Sequence, residues 1–231
     1  MTATNDFSFQ VEFAVLMKCD ACRIKIIEEL KNLPSVHIDE INVANQRLVL
    51  RLNESSPSAF EIQNLLENKL QLNTIIRGTG NFIAAVGELR GSDHYPGVFG
   101  VARFIQNEQK QCLFDAVIDG FTDSSSYNVG IHEYGDLSDS DLKSIGSEIF
   151  NIATNIQSID GKLSVKKKID NLDISAKIGQ SLAVRKNDNG DIIAASVIAR
   201  ASKILNNTKK VCACSGKTLW EERETIDQKL F

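Results

Sequence analysis

Apolar and polar residues recur with two different periods along this chain, and the changes of period predict its elements. Residues 8–16, SFQVEFAVL, are rich in β-branched and aromatic side chains and predict a strand. The following run, CRIKIIEELKNL, carries Ile26, Ile27, Leu30 and Leu33 on one helical face. VHIDEINV and RLVLRL alternate with period two on either side of ANQ, which is a hairpin pattern. Ser55 and Ser56 ahead of Pro57 predict a second helix start, and Ile62, Leu65, Leu66 and Leu70 continue it at helical spacing. NTIIRG closes the series as a last strand. Strand, helix, strand, strand, helix, strand within residues 1–77 predicts the split ferredoxin-like arrangement, βαββαβ.

From Gly78 onward the pattern shortens. AAVGELRG, GVFGVARFIQ, CLFDAVIDG, KLSVKKKID and SLAVRKN are strand-like runs divided by turn residues, so residues 78–205 predict an antiparallel sandwich or barrel. The fold class is therefore α+β. Residues 206–231 are polar, hold too little apolar material for a core, and predict a short flexible tail. The glycines of GTGNFIAAVG are followed by a strand-like run rather than a helix, so they do not make a phosphate-binding loop.

Composition narrows the classes of function. Hydrophobic residues make up 42% and charged residues 24% of the 231, values suited to a packed globular chain. A formal charge of -4 disfavours nucleic acid as a partner. The basic runs Lys166 to Lys168 and Lys209 to Lys210 are short and read as a solvated strand edge or turn. The N-terminus lacks the pattern of a secretory leader, and no segment reaches the roughly 20 apolar residues that span a bilayer. The chain thus reads as soluble and unexported, and an odd cysteine count of 5 in a reducing compartment points to metal or redox use rather than a disulfide framework.

The candidate chemistry is sulfur. In MKCDAC, Cys19 and Cys22 lie at the first strand-to-helix turn, where backbone N-H groups and the helix dipole favour thiolate over thiol. Soft sulfur ligands select Cu(I) or zinc, and two thiols match two-coordinate Cu(I) better than a four-ligand zinc site. A C-x-x-C pair can also be a dithiol redox centre, and spacing alone divides the two readings evenly. Met17 reads as core filler. Cys212 and Cys214, two apart in VCACSG, face one way on an extended chain and could clamp one metal ion or exchange disulfides with a partner. An internal disulfide between them would be strained and readily reduced. Cys112 stands alone on a strand pattern and reads as a small core residue.

MKCDAC in its leader, IHEYGD and KIGQSLAVRKNDNGD in a β-rich middle, and VCACSGKTLWEER at the end together resemble the copper chaperone for superoxide dismutase family in its fungal form. The resemblance spans essentially the whole chain, and CAC followed by SGKTLWEER is its most specific part. It implies a heavy-metal-associated copper-binding domain, a Greek-key domain with the Cu/Zn superoxide dismutase fold, and a thiol tail. It implies Cys19 and Cys22 as Cu(I) ligands and Cys212 and Cys214 as the pair that performs transfer. The implied task is to dock on newly made Cu/Zn superoxide dismutase as a heterodimer, insert copper and promote its intramolecular disulfide. A homodimer of the free protein, and residence in the cytoplasm or the mitochondrial intermembrane space, are further expectations of the same resemblance.

The middle domain is not expected to be a dismutase itself. That enzyme needs a histidine cluster, and this chain has three histidines, His37, His94 and His132. By resemblance, Ile131 stands where one copper ligand would be and Arg185 where the last would be. No histidine lies between Asp136 and Asp160, so no zinc is expected in the middle domain. Ala195 falls where a disulfide cysteine would be. His132 then reads as a packed or hydrogen-bonded residue, and His37 and His94 are given no role. The docking surface implied by resemblance lies around Gly135 and Val197 to Ala201.

Overall fold

The structure, a computed structural model, describes residues 7–80, 83–123, 125–203, 217–218 and 220–221. Its first six elements follow the predicted order: β1 (Ser8–Val15), α1 (Asp20–Leu30), β2 (His37–Asn42), β3 (Arg47–Asn53), α2 (Ala59–Asn68) and β4 (Thr74–Thr79). The four strands form an antiparallel sheet ordered β2-β3-β1-β4. Alternation explains which face is dry. Register pairs Val11 with Leu50 and Phe13 with Leu48, and these four pack with Ile26 and Leu30 of α1 and Ile62 and Leu66 of α2. Helix α2 starts one residue after Ser58, not at Pro57. Ser58 and Glu61 form a reciprocal capping box, with Glu61 N donating to Ser58 Oγ at 3.1 Å and Ser58 N to Glu61 Oε2 at 2.6 Å.

The remaining strands are β5 (Ile83–Gly91), β6 (Phe99–Gln106), β7 (Cys112–Asp119), β8 (Ser126–His132), β9 (Glu148–Gln157), β10 (Lys162–Ile169), β11 (Ser181–Lys186), β12 (Ile192–Val197) and β13 (Ala199–Arg200). They form one sheet ordered β10-β7-β6-β5-β12-β11-β8-β9, with β13 added beside β5. The sheet curls into a nearly closed barrel around Phe104 and Phe114, whose ring centroids lie 4.8 Å apart. Its two end strands, β9 and β10, follow each other in the chain, and Lys167 Nζ donates to Ile152 O across their seam at 2.7 Å. Cys112 is buried in this core, and burial pushes its thiol up to about 12, so it stays an inert apolar residue as expected.

Four strands are absent from the sequence reading: β13 has only two residues, and the other three are absent for physical reasons. Strand β8 carries Asn128 and Gly130, poor strand formers. Strand β9 has its alternation broken by register shifts and by Asn155 at φ 54°. Strand β12 is alanine-rich and acquires its place only by pairing between β5 and β11.

The basic run of β10 also departs from its solvated reading. Lys166 Nζ donates to Ser56 O, Lys168 Nζ lies 3.4 Å from Glu54, and Lys162 Nζ sits 5.5 Å above the Phe60 ring. Ile105 and Leu113 join the apolar core of the first sheet. The lysines therefore stitch the barrel to the loop and helix start at 54–60. Asp115, beside Arg103 and Lys166 in register, has its carboxyl pushed up to about 6 because burial outweighs those two cations.

One polar cluster makes a prediction for the barrel. Asp123 accepts from Lys186 Nζ at 2.6 Å and from the buried Tyr127 hydroxyl, and these two partners hold its carboxyl well below the usual range. A depressed native pKa means stability present above the unfolded value and lost as pH falls through the native one. Asp123→Asn should lower unfolding free energy by about 1 kcal/mol at pH 7, a figure discounted for partial exposure. Chemical denaturation should show that difference shrinking as pH falls below 4; a gap that persists undiminished in acid rules out the ionic explanation.

Candidate metal centre

The thiol loop is built by the end of β1. Leu16 N donates to Asn73 O at 2.9 Å and Met17 N to Val15 O at 2.7 Å, which turns the chain out of the sheet. Met17 is buried in the first core, as its reading as core filler requires. Cys19 then occupies the position just before α1 in extended backbone, φ -163° and ψ 175°, and its side chain caps no helical N-H. Cys22 N donates to Cys19 O at 3.1 Å, which begins the helix.

Both sulfurs therefore sit at a helix N-terminus, where unpaired N-H groups and the dipole favour negative charge. Cys19 is exposed and Cys22 half-buried, both as free thiols. Backbone hydrogen bonding from Lys18 is the largest cause that lowers the Cys22 thiol; Cys19 and the charge of Lys25 add to it. The pair presents two soft sulfur donors on one helix start. Among the described residues no group of three or more His, Cys, Asp or Glu side chains converges into a metal-binding cluster. The chemistry the loop offers is thus that of two neighbouring free thiols. Cys212 and Cys214 lie outside the described residues.

The three histidines sit in three different settings. His132 at the end of β8 is buried, with Nδ1 placed to donate to Gly146 O at 2.9 Å. His94 Nε2 meets Asp141 at 3.0 Å on the surface, and His37 is exposed on β2. Ile131 points into the barrel core, Arg185 lies at a β-bulge between β11 and β12, and Ala195 packs with Leu142, Ile145 and Ala183.

Around Gly135 the chain segments are close-packed. A Cβ there would come within 2.2 Å of Gly179 O and 3.6 Å of Val197 Cγ1, so only glycine lets these segments meet. Tyr134 is 58% exposed, Leu137 38% and Val197 37%.

Similarity to known proteins accords with this arrangement. The chain is 31% identical over 250 residues to the superoxide dismutase 1 copper chaperone of Saccharomyces cerevisiae, covering 96% of each. It is 30% identical over 245 residues to the protein of the same name from Kluyveromyces lactis, covering 99% of this chain and 98% of that one. This chain belongs to the copper chaperone for superoxide dismutase family. The human member, copper chaperone for superoxide dismutase, is 28% identical over 254 residues, with 92% of this chain and 88% of that one covered. No protein-family model matches the chain. The spacing C-x-x-C at a strand-to-helix turn marked the loop and its thiolate-favouring setting in the sequence, but the close contact of Gly135 with Gly179 needed the fold.

Proposed function

We propose that this protein is a Cu(I) metallochaperone for Cu/Zn superoxide dismutase, working through three parts. Residues 1–77 form a ferredoxin-like, heavy-metal-associated domain in which Cys19 and Cys22 hold Cu(I). Residues 78–205 form a dismutase-like domain that takes no zinc and pairs with the client as a heterodimer. Residues 206–231 carry Cys212 and Cys214, which deliver the copper. The observation that carries this reading is the thiolate-favouring setting of Cys22 beside Cys19, in a chain of this family.

The barrel's separate histidines and the apolar side chains at Ile131 and Ala195 favour a recognition domain over a second dismutase. The exposed patch of Tyr134, Gly135 and Val197 suits a self-complementary two-fold contact, in which a lookalike subunit replaces one partner of the enzyme dimer. Docking makes copper transfer effectively intramolecular. For the client's disulfide, a Cys212–Cys214 disulfide would be reduced to two thiols while two client thiols are oxidised, with electrons and protons balanced by exchange.

Copper-loaded protein mixed with reduced, metal-free dismutase should raise both the client's copper content and its activity. Cys212→Ser with Cys214→Ser should leave complex formation intact and remove that gain. Undiminished client activation by the double variant would eliminate the tail from the mechanism. A scaffold that only dimerises with the client would form the complex yet leave client copper unchanged even in the wild type.

A further inference from the structure

Trp220 is the chain's single tryptophan, and its indole Nε1 donates to Gln46 Oε1 at 2.9 Å, joining residues 174 apart in sequence. Both ends of this contact are pre-shaped. On the tail side, Thr218 N donates to Glu221 Oε2 at 2.7 Å and Glu221 N to Thr218 Oγ1 at 3.3 Å. That reciprocal capping box opens a helical turn on which Trp220 is carried. On the receiving side, Gln46 closes the β2–β3 turn with φ 51°, and its N-H donates to Val43 O at 3.1 Å. Its carbonyl accepts from Val15 N at 2.9 Å, which ties the turn to the last residue of β1, directly ahead of the thiol loop.

A second observation concerns the sheet face turned away from α1 and α2. Register places Glu12 opposite Val49 and Ala14 opposite Arg47 on that face. Glu12, Ala14 and Val49 are nevertheless only 2%, 2% and 3% exposed, although no described helix lies over them. The chain leaves the barrel at the other end of the same sheet, where Thr79 N donates to Ser202 O at 3.2 Å. From Thr79, paired with Val11, to Thr74, paired with Val15, is a run of roughly 15 Å along the sheet. The residues between 203 and 217 can bridge that distance with slack, since an extended chain reaches about 3.3 Å per residue.

We propose that the β2–β3 turn and the helix-free face of the first sheet are an intramolecular docking surface for this chain's own C-terminal segment, with Trp220 as the anchor. The docked segment tethers the stretch bearing Cys212 and Cys214 to the unit that bears Cys19 and Cys22. Release of Trp220 frees that stretch to reach elsewhere. This surface stands on geometry alone and does not require the copper reading to be correct.

The tryptophan reports its own docking. In the full-length, metal-free protein, its fluorescence should be shielded from acrylamide relative to a peptide of residues 204–231. Gln46→Ala should lower the ratio of docked to undocked tail by about fivefold, the worth of one net hydrogen bond, and raise quenching toward the peptide value. Glu221→Ala, which removes the cap inside the tail and cannot unfold the sheet, should do the same. Circular dichroism should be unchanged in both. Quenching that is indifferent to both substitutions overturns the proposal. So does shielding that fades on dilution, because the tail would then be seated on a second copy.

Discussion

Val197→Glu is expected to abolish the complex between this chain and reduced, metal-free superoxide dismutase while leaving the chain's own unfolding midpoint unchanged. Val197 is exposed beside Gly135 and Tyr134, so the carboxylate is solvated in the free protein. In a two-fold contact the same carboxylate loses its water without gaining a cation, at a cost of several kcal/mol, enough to weaken a complex by orders of magnitude. Gly135→Val attacks the same surface from beneath, because its Cβ would collide with Gly179 O at 2.2 Å and force the two segments apart. Size-exclusion co-elution at micromolar concentration reads both. Retained co-elution with Val197→Glu would remove this patch from the client interface and place docking elsewhere on the barrel.

The second large effect belongs to the thiol loop. Cys19→Ser together with Cys22→Ser should eliminate the Cu(I) held by the first unit, about one ion per chain for a two-thiolate site. Hydroxyls are hard, weakly acidic ligands that do not hold a soft monovalent cation. Neither cysteine lies among the fully buried core residues, so the thermal midpoint should stay close to that of the wild type. A titration against a competing Cu(I) chelator, run beside Cys212→Ser with Cys214→Ser, separates the two pairs. Full uptake by the first double variant would assign all copper binding to the tail. The lowered Cys22 thiol adds a pH signature: the thiolate is its metal-binding form, so Cu(I) affinity should hold to lower pH than an ordinary thiol pair allows and fall as acid protonates it.

Local pattern carried much of the architecture. The alternation of β1 and β3 and the helical spacing around Ile26 and Ile62 made the first six elements legible, because each buries one face against neighbours close in sequence. The thiol loop was legible for a similar reason: C-x-x-C at a strand-to-helix turn places its own sulfurs. Strands β8, β9 and β12 were not legible, since asparagine, glycine and alanine form strands there only because neighbouring strands supply the hydrogen bonds. Ser58 was likewise passed over for Ser55 and Ser56, because a cap is decided by which serine faces the N-H of Glu61.

The sequence by itself determined the place of the C-x-x-C loop, the element order of the first unit and the kinship of the chain, all of which reside in residue identity at short spacing. Only the tertiary structure decided that Lys166 and Lys168 reach across to the loop at 54–56, and that Tyr134 is exposed on the surface around Gly135 and Val197. It alone decided that Trp220 meets Gln46. The reason is distance along the chain: these contacts link residues tens to hundreds of positions apart, and a side chain's partner across such a gap is chosen by how sheets close and pack, which no local period encodes.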